Sequence, residues 1–345
     1  MSLRILLIGG TQFVGRHIAQ QALARGHALT LFNRGRTNAG LFAQAEQLRG
    51  DRAGDLSVLG TRDWDAVIDT CGYTRKPVAA MCRALAGRVK RYVFISSVSV
   101  YKSFAAPNDE SSPTGAIDDA DTDTIDGETY GPLKALCEDE VRSAFGARAL
   151  IIRPGLIAGP HDPTDRYTYW VARIARARDG DEVLAPESPA APIQYIDARD
   201  LAGWILHCIE QQISGTFNAV CPPGLHTLGK LLAACQTSAG VACKLTWASP
   251  EFLQAHAVAP WTELPLWLPM HDADGAHFMR TRCDAAQAAG LQCRPLRDTV
   301  QATYDWLMQL PDDRRARLKA GLAPHRERAL LHAWRESQTA NGTRR

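Results

Sequence analysis

The chain has 345 residues, 46% of them hydrophobic and 22% charged, which is ordinary for a globular protein and enough to enclose a sizeable core. Its 39 Lys and Arg against 37 Asp and Glu leave a net charge of +2, which gives no global reason to expect a nucleic-acid partner. No apolar run approaches the ~20 residues needed to span a bilayer, and the apolar stretch at 5–8 is too short for a signal peptide, so no membrane contact and a cytoplasmic location are expected.

In chain order, residues 5–8 read as a short strand and 13–25 as a helix with Val14, Ile18, Ala22 and Leu23 on one face. Gly26-His27 ends that helix, and 28–32 is the next strand. Further strands are expected at 66–69, 92–96 and 150–153, with a helix at 78–85 and another carrying Lys134 between the last two. Strand, helix, strand at this spacing predicts parallel pairing through right-handed crossovers. Continuous apolar strands fit a sheet covered on both faces. Beyond Gly159 comes a polar loop, then a helix at about 167–178, a strand at 193–196, a helix at 198–211 and a strand at 215–220 taken as a late addition to the sheet. The segment 225–296, with an aromatic, proline-rich loop at 260–269, reads as a smaller lid-like domain. From Pro311 onward nine Lys and Arg stand against four Asp and Glu, so this tail is read as a basic helical segment packing on the body or on a second subunit. The expected organisation is residues 1–158 plus about 192–222 as a nucleotide-binding domain, about 159–191 plus 223–310 as a substrate domain, and 311–345 as the tail.

The nine cysteines form no Cys-x-x-Cys pair and have no histidine at zinc spacing, so reduced, mostly buried thiols and no metal are expected. The run Gly9-Gly10-Thr11-Gln12-Phe13-Val14-Gly15 joins a strand to a helix, and a helix N-terminus reached through a glycine turn is an anion site suited to a pyrophosphate. Gly9 permits the tight turn and Gly15 the close packing of helix on strand, whereas Gln12 stands where a central glycine is usual. After the second strand the chain reads Asn33-Arg34-Gly35-Arg36, without the carboxylate that would take a ribose 2′-OH. Two guanidinium groups there suit a 2′-phosphate, which favours NADP over NAD. Asp51 is placed near the adenine. Thr70, Cys71 and Gly72 follow a strand expected to approach the cofactor.

Tyr130 and Lys134 form a Tyr-x-x-x-Lys pair, one helical turn apart on one face. A tyrosine with its ordinary pKa near 10 is a poor acid or base at neutral pH, but a nearby ammonium favours the phenolate. Tyr130 could then exchange a proton with a substrate hydroxyl or carbonyl. Ser96 and Ser97 end a central strand, where open α/β sheets place ligands, and Ser97 would bond the same substrate oxygen. Candidate substrate residues further along are His161, Asp162, Arg166, Tyr167, Trp170, Trp261, Thr262, Glu263 and Trp267, whose rings could stack on a sugar or base.

These pieces, with Phe94-Ile95-Ser96-Ser97-Val98-Ser99-Val100-Tyr101, Arg153-Pro154-Gly155 and Gln194-Tyr195-Ile196-Asp197-Ala198-Arg199-Asp200, run in the order found in a known group. Over about residues 1–300 the chain resembles the extended short-chain dehydrogenase/reductase superfamily, the NAD(P)-dependent epimerase/dehydratase group. The resemblance implies a doubly wound Rossmann fold with a smaller C-terminal substrate-binding domain. It makes Ser97, Tyr130 and Lys134 the catalytic triad, sets Pro154 and Gly155 by the nicotinamide, and adds Ser99 and Tyr101 to the substrate side. It also implies a homodimer. The Gly-Gly-Thr-x-Phe turn is similar to that of the atypical branch containing the chloroplast stem-loop RNA-binding proteins. The Arg and His that often flank the Tyr-Ile-Asp segment in sugar-nucleotide epimerases are missing. An NAD(P)-dependent oxidoreductase or epimerase acting on a sugar-like small molecule is therefore the leading expectation. The alternative is an RNA-binding or cofactor-sensing member without turnover.

Overall fold

The computed structural model describes residues 2–269 and 275–342. These fall into two compact units, Met1–Ile157 with Tyr195–Pro222 and Arg280–Cys293, and Ala158–Gln194 with Pro223–Met279 and Arg294–Arg345.

The first unit is built on a parallel sheet of seven strands. They are β1 (Arg4–Ile8), β2 (Ala28–Asn33), β3 (Glu46–Arg49), β4 (Ala66–Asp69), β5 (Tyr92–Ile95), β6 (Ala149–Pro154) and the edge strand Gly215–Ala219. From that edge the order is β6, β5, β4, β1, β2, β3. The sheet is covered on both faces, which is why its strands read as unbroken apolar runs. Ile5, Leu7, Ile68, Val93, Ile95, Leu150 and Ile152 pack with α1 (Phe13–Ala24) and the helix Ala198–Glu210. The alternate residues Leu6, Ile8, Val67, Phe94 and Ile151 face α2 (Arg75–Leu85) and α3 (Tyr130–Phe145). The chain reverses its winding at β1, which lies between β4 and β2, so a crevice opens at the strand C-termini there.

The segment Arg280–Cys293, assigned from sequence to the second domain, packs in the first unit. Asn218 Nδ2 donates to Arg282 O (3.0 Å), Arg282 N to Asn108 O (2.8 Å) and Trp204 Nε1 to Ala289 O (3.0 Å). Its short helix Asp284–Ala288 lies against the edge strand, which would otherwise be left uncovered.

In the second unit the helices Arg166–Ala175, Leu228–Ala239 and Leu296–Met308 pack on one another, and Glu182–Pro186 pairs in parallel with Lys244–Ala248. The basic tail is part of this unit and not a separate appendage. Buried Glu327 accepts from Arg173 Nε (2.6 Å) and Leu184 N (3.1 Å), and Arg314 pairs with buried Asp165 (2.7 Å). Gln194 breaks the expected strand at 193–196, so that Pro192–Ile193 pairs antiparallel with His226–Thr227 in the second unit and Tyr195–Asp197 belongs to the first. Among the described residues no helix is long and apolar enough to cross a membrane.

One glycine fixes the position of α3. A Cβ on Gly131 would collide with the carbonyl oxygen of Ser99, so only glycine lets the first turn of α3 rest on the loop that follows β5. Gly131→Ala is expected to destabilise the protein by about 1–3 kcal/mol through overpacking. Gly127→Ala, whose Cβ meets no atom within 4 Å, should stay within about 0.5 kcal/mol. Urea unfolding of the two variants checks this.

Candidate active site

The first unit carries a nucleotide-shaped end and a chemical end. At the first, Gly9 (φ 106°) and Gly10 (φ 93°) take left-handed backbone between β1 and α1. A Cβ on Gly15 would lie 2.7 Å from Gly10 N, so helix and turn touch directly. Gln12 is extended and exposed, and no side chain caps the first turn of α1. The amides of Phe13, Val14 and Gly15 therefore belong to an uncapped helix start, the arrangement that binds anions.

The loop after β2 is fastened to this turn. Asn33 Nδ2 donates to Gly9 O (3.3 Å), and Asn38 Nδ2 donates to Thr11 O (2.9 Å). Asn33 Oδ1 accepts from Gly35 N (2.8 Å) and Arg49 Nη1 (3.0 Å). Arg34 and Arg36 project from this anchored loop, both exposed. Asp51 is exposed and accepts from Ala53 N (3.0 Å). Thr70 Oγ1 donates to Ile8 O (2.8 Å), which ties the end of β4 to the end of β1.

Beneath this end lies a buried ion pair that the sequence reading did not single out. Arg52 grips Asp69 with both terminal nitrogens (2.7 and 2.8 Å), and Tyr92 donates to the same carboxylate (2.9 Å). Burial alone would push the Asp69 carboxyl up, but the charge and hydrogen bonds of Arg52 hold it below the usual range. Arg52 Nη1 also lies 3.6 Å from Cys71 Sγ, whose pKa burial raises. The sequence signal for this pair is a carboxylate ending the otherwise apolar strand Ala66-Val67-Ile68-Asp69. Cutting the pair with Arg52→Met should cost about 3–5 kcal/mol, since it strands a buried carboxylate. The loss should grow as pH rises above the carboxylate range, read by denaturant unfolding across pH.

At the chemical end, Ser97 follows β5. Its Oγ accepts from Ser99 N (3.1 Å) and donates to Ser99 Oγ (3.0 Å). Tyr130 is the first residue of α3 and is partly buried. Lys134, one turn on, is 2% exposed. Its Nζ donates to Gly72 O (2.7 Å) and Ile95 O (2.5 Å), carbonyls just beyond β4 and at the end of β5. The Phe94 ring lies 4.1 Å from Nζ and the Tyr73 ring 5.6 Å. Burial lowers the Lys134 pKa from 10.5 to about 8. The charged lysine therefore disfavours folding at and below pH 8. That cost is relieved as pH rises further, because the unfolded chain keeps this proton until about pH 10.4.

A second buried cluster fixes α3 against β6. Arg153 grips Glu138 with two nitrogens (2.9 and 2.7 Å), and Arg142 adds a third contact (2.6 Å). Burial pushes Glu138 up, and Arg153 more than offsets it. Glu138, four residues past Lys134, escaped the sequence reading although it shares that helix face. Tyr101, expected on the substrate side, is buried. It donates to Asn218 Oδ1 (2.7 Å) and accepts from Arg153 (3.2 Å), so its hydroxyl serves this network. Pro154 ends β6, and a Cβ on Gly155 would meet Val220 Cγ1 at 2.7 Å.

In the second unit the proposed substrate residues divide. Arg166 is half-buried with its guanidinium 5.5 Å from the Trp261 ring, and Trp261 holds a left-handed backbone (φ 63°). His161 (φ 70°) meets Trp306 edge to face at 5.3 Å. Tyr167 and Trp170 are fully buried, and Trp170 Nε1 donates to Pro265 O (2.7 Å); both are core residues and offer no surface to a ligand. Trp267 is likewise buried, on Glu187 (3.1 Å), and Glu263 is engaged by Arg326. Asp162 is buried and accepts from Thr164 N (2.8 Å) and Oγ1 (2.7 Å). Among the described residues no group of three or more His, Cys, Asp or Glu could hold a metal ion.

Residues 60–219 match the family model described as NAD dependent epimerase/dehydratase family. The Chloroplast stem-loop binding protein of 41 kDa b of Arabidopsis thaliana is 27% identical over 225 residues, 60% of this chain and 55% of that protein, so the match spans about half of that relative's length. The Epimerase family protein SDR39U1 of Bos taurus is 25% identical over 256 residues, 69% of this chain and 81% of its own. Among solved structures, the UDP-Glc/GlcNAc 4-epimerase of Campylobacter jejuni aligns over 90% of this chain and 100% of its own, with a TM-score of 0.66 at 16% identity. The UDP-glucuronic acid 4-epimerase of Bacillus cereus, in complex with NAD, aligns over 89% and 99%, with a TM-score of 0.65 at 15% identity. The seven-stranded parallel sheet and the solved structures that align with it define a doubly wound Rossmann fold. Over residues 60–219, a little under half of its length, the chain is similar to the NAD(P)-dependent epimerase/dehydratase group of the extended short-chain dehydrogenase/reductase superfamily.

Proposed function

We propose that this protein is an NADP-preferring oxidoreductase or epimerase that works at a hydroxyl- or carbonyl-bearing carbon of a sugar-like or nucleotide-sugar substrate. The observation that carries the reading is Lys134, buried one turn from Tyr130 with its ammonium on two strand-end carbonyls. The first-turn amides of α1 fit a pyrophosphate, and Arg34 and Arg36 fit a 2′-phosphate. The nicotinamide, when bound, supplies or accepts the hydride. In the oxidative direction Tyr130, as phenolate, takes the hydroxyl proton as the substrate C–H bond breaks. In the reductive direction Tyr130 returns the proton to the carbonyl oxygen. Lys134 favours the phenolate by its charge, and Ser97 orients the oxygen. An ammonium has three donors, and two are taken by carbonyls, so one remains for a ribose hydroxyl.

The UDP-sugar 4-epimerases whose structures align with this chain motivate the nucleotide-sugar class. The stacked, half-buried guanidinium of Arg166 on Trp261 suits the phosphate or carboxylate such molecules carry. Tyr130→Phe should lower turnover by at least about 100-fold with nucleotide binding unchanged; a fully active variant would sink the assignment. Replacing Arg34 and Arg36 together by Ala should weaken NADPH binding by about tenfold or more and leave NADH binding unchanged, since each charge-assisted bond contributes about 1.5–3 kcal/mol. Titration followed by nicotinamide fluorescence tests this. Equal affinity of the wild type for both nucleotides would remove the NADP preference.

The chloroplast relative favours a second reading, binding of stem-loop RNA. Against it, Arg314 and Arg326 of the basic tail are spent on Asp165 and Glu263. Salt-sensitive RNA retention by a protein that binds neither nucleotide would reverse the ranking.

A further inference from the structure

We infer that Tyr73 is a positioning residue for Lys134, its ring closing the outer side of a cage that keeps the ammonium dry. The cage has four walls. Two are the carbonyls of Gly72 and Ile95, at 2.7 and 2.5 Å from Nζ. The third is Phe94, from the core, at 4.1 Å. The fourth is Tyr73, at 5.6 Å. Tyr73 differs from the others in being 46% exposed, one of few large apolar side chains so open, while the lysine behind it is 2% exposed. It directly follows Gly72, so the carbonyl that holds the ammonium and the ring that covers it come from adjacent residues.

The same ring stands near Tyr130. Burial pushes the Tyr73 hydroxyl up to about 12, with repulsion from the Tyr130 phenolate adding to it, although part of the side chain remains open to solvent. Tyr73 therefore stays a neutral phenol near neutral pH, with its ring against Lys134. The groups facing Lys134 are Asp69, Cys71 and Tyr73 from β4 and the segment after it, Arg52 from the segment after β3, and Tyr130, Cys137 and Glu138 from α3 itself. Among them Tyr73 is the exposed ring with a measured contact to the ammonium. The consequence for catalysis rests on the Tyr130–Lys134 reading above, whereas the cage is measurable without turnover.

The test uses NMR of the full chain with lysines labelled at 13Cε. The sequence has seven lysines, and six of them are exposed. The signal followed is that of Lys134, the buried one, whose midpoint lies below the ordinary lysine value. Lys134→Arg should remove that signal, and if this variant does not fold, replacing the six exposed lysines one at a time assigns it by elimination. In Tyr73→Phe, which keeps the ring, the midpoint should stay where it is in the wild type. In Tyr73→Ala it should rise by about one pH unit as water reaches the ammonium. An unchanged midpoint in Tyr73→Ala, or an equal rise in Tyr73→Phe, would overturn the inference. Loss of activity in Tyr130→Phe with no response of Lys134 to Tyr73 would leave the catalytic reading intact and remove only the cage. A responsive Lys134 beside a fully active Tyr130→Phe would do the reverse.

Discussion

The structure of the candidate site depends on placing one ammonium group inside the protein. Lys134 reaches from α3 to the ends of β4 and β5, and a charge so deeply buried must be met by fixed polar groups. The carbonyls of Gly72 and Ile95 meet it, and they can do so because parallel strands end with unpaired backbone oxygens at the side where a nucleotide binds in this class of fold. The same reach fixes the rotation of α3 and therefore where Tyr130 points. Burial then lowers the lysine pKa, so the charge that would assist Tyr130 is one the protein holds at a cost.

Two other buried charge clusters flank this lysine, and both join segments distant in sequence. Arg52 and Asp69 tie the segment after β3 to the end of β4, beneath the anchored loop of Arg34 and Arg36. Glu138, Arg142 and Arg153 tie α3 to β6. Buried ion pairs contribute little net stability compared with well-packed apolar side chains, but losing one partner is costly. Their effect here is geometric. With the carbonyl contacts of Lys134 and the glycine contact at Gly131 they set the height and rotation of α3 over the sheet, and hence where Tyr130 sits.

Much of the first unit was legible from its sequence. The apolar runs at 5–8, 66–69 and 92–95 announce buried parallel strands, because both faces of such a strand are covered and alternation disappears. The glycines of the turn are readable because left-handed backbone admits few other residues. Tyr130 and Lys134 are readable because helical spacing sets them on one face. What escaped depends on long-range packing. Tyr73 carries no local signal that its ring will lie over a lysine 61 positions later. Trp170 and Tyr167 looked like ligand-facing aromatics, and only the packing of their helix shows that they are core.

The amino-acid sequence alone gave away the class of fold, the glycine turn and the pairing of Tyr130 with Lys134 on one helix face, because each rests on residues within one helix, strand or turn. The tertiary structure decided which charges are buried together, that Arg280–Cys293 covers the sheet edge, and that the basic tail is held by Asp165, Glu263 and Arg173. These are contacts between segments tens to hundreds of residues apart. Their free energy depends on desolvation and geometry that exist only after the chain has closed on itself, and no local pattern of residues encodes them.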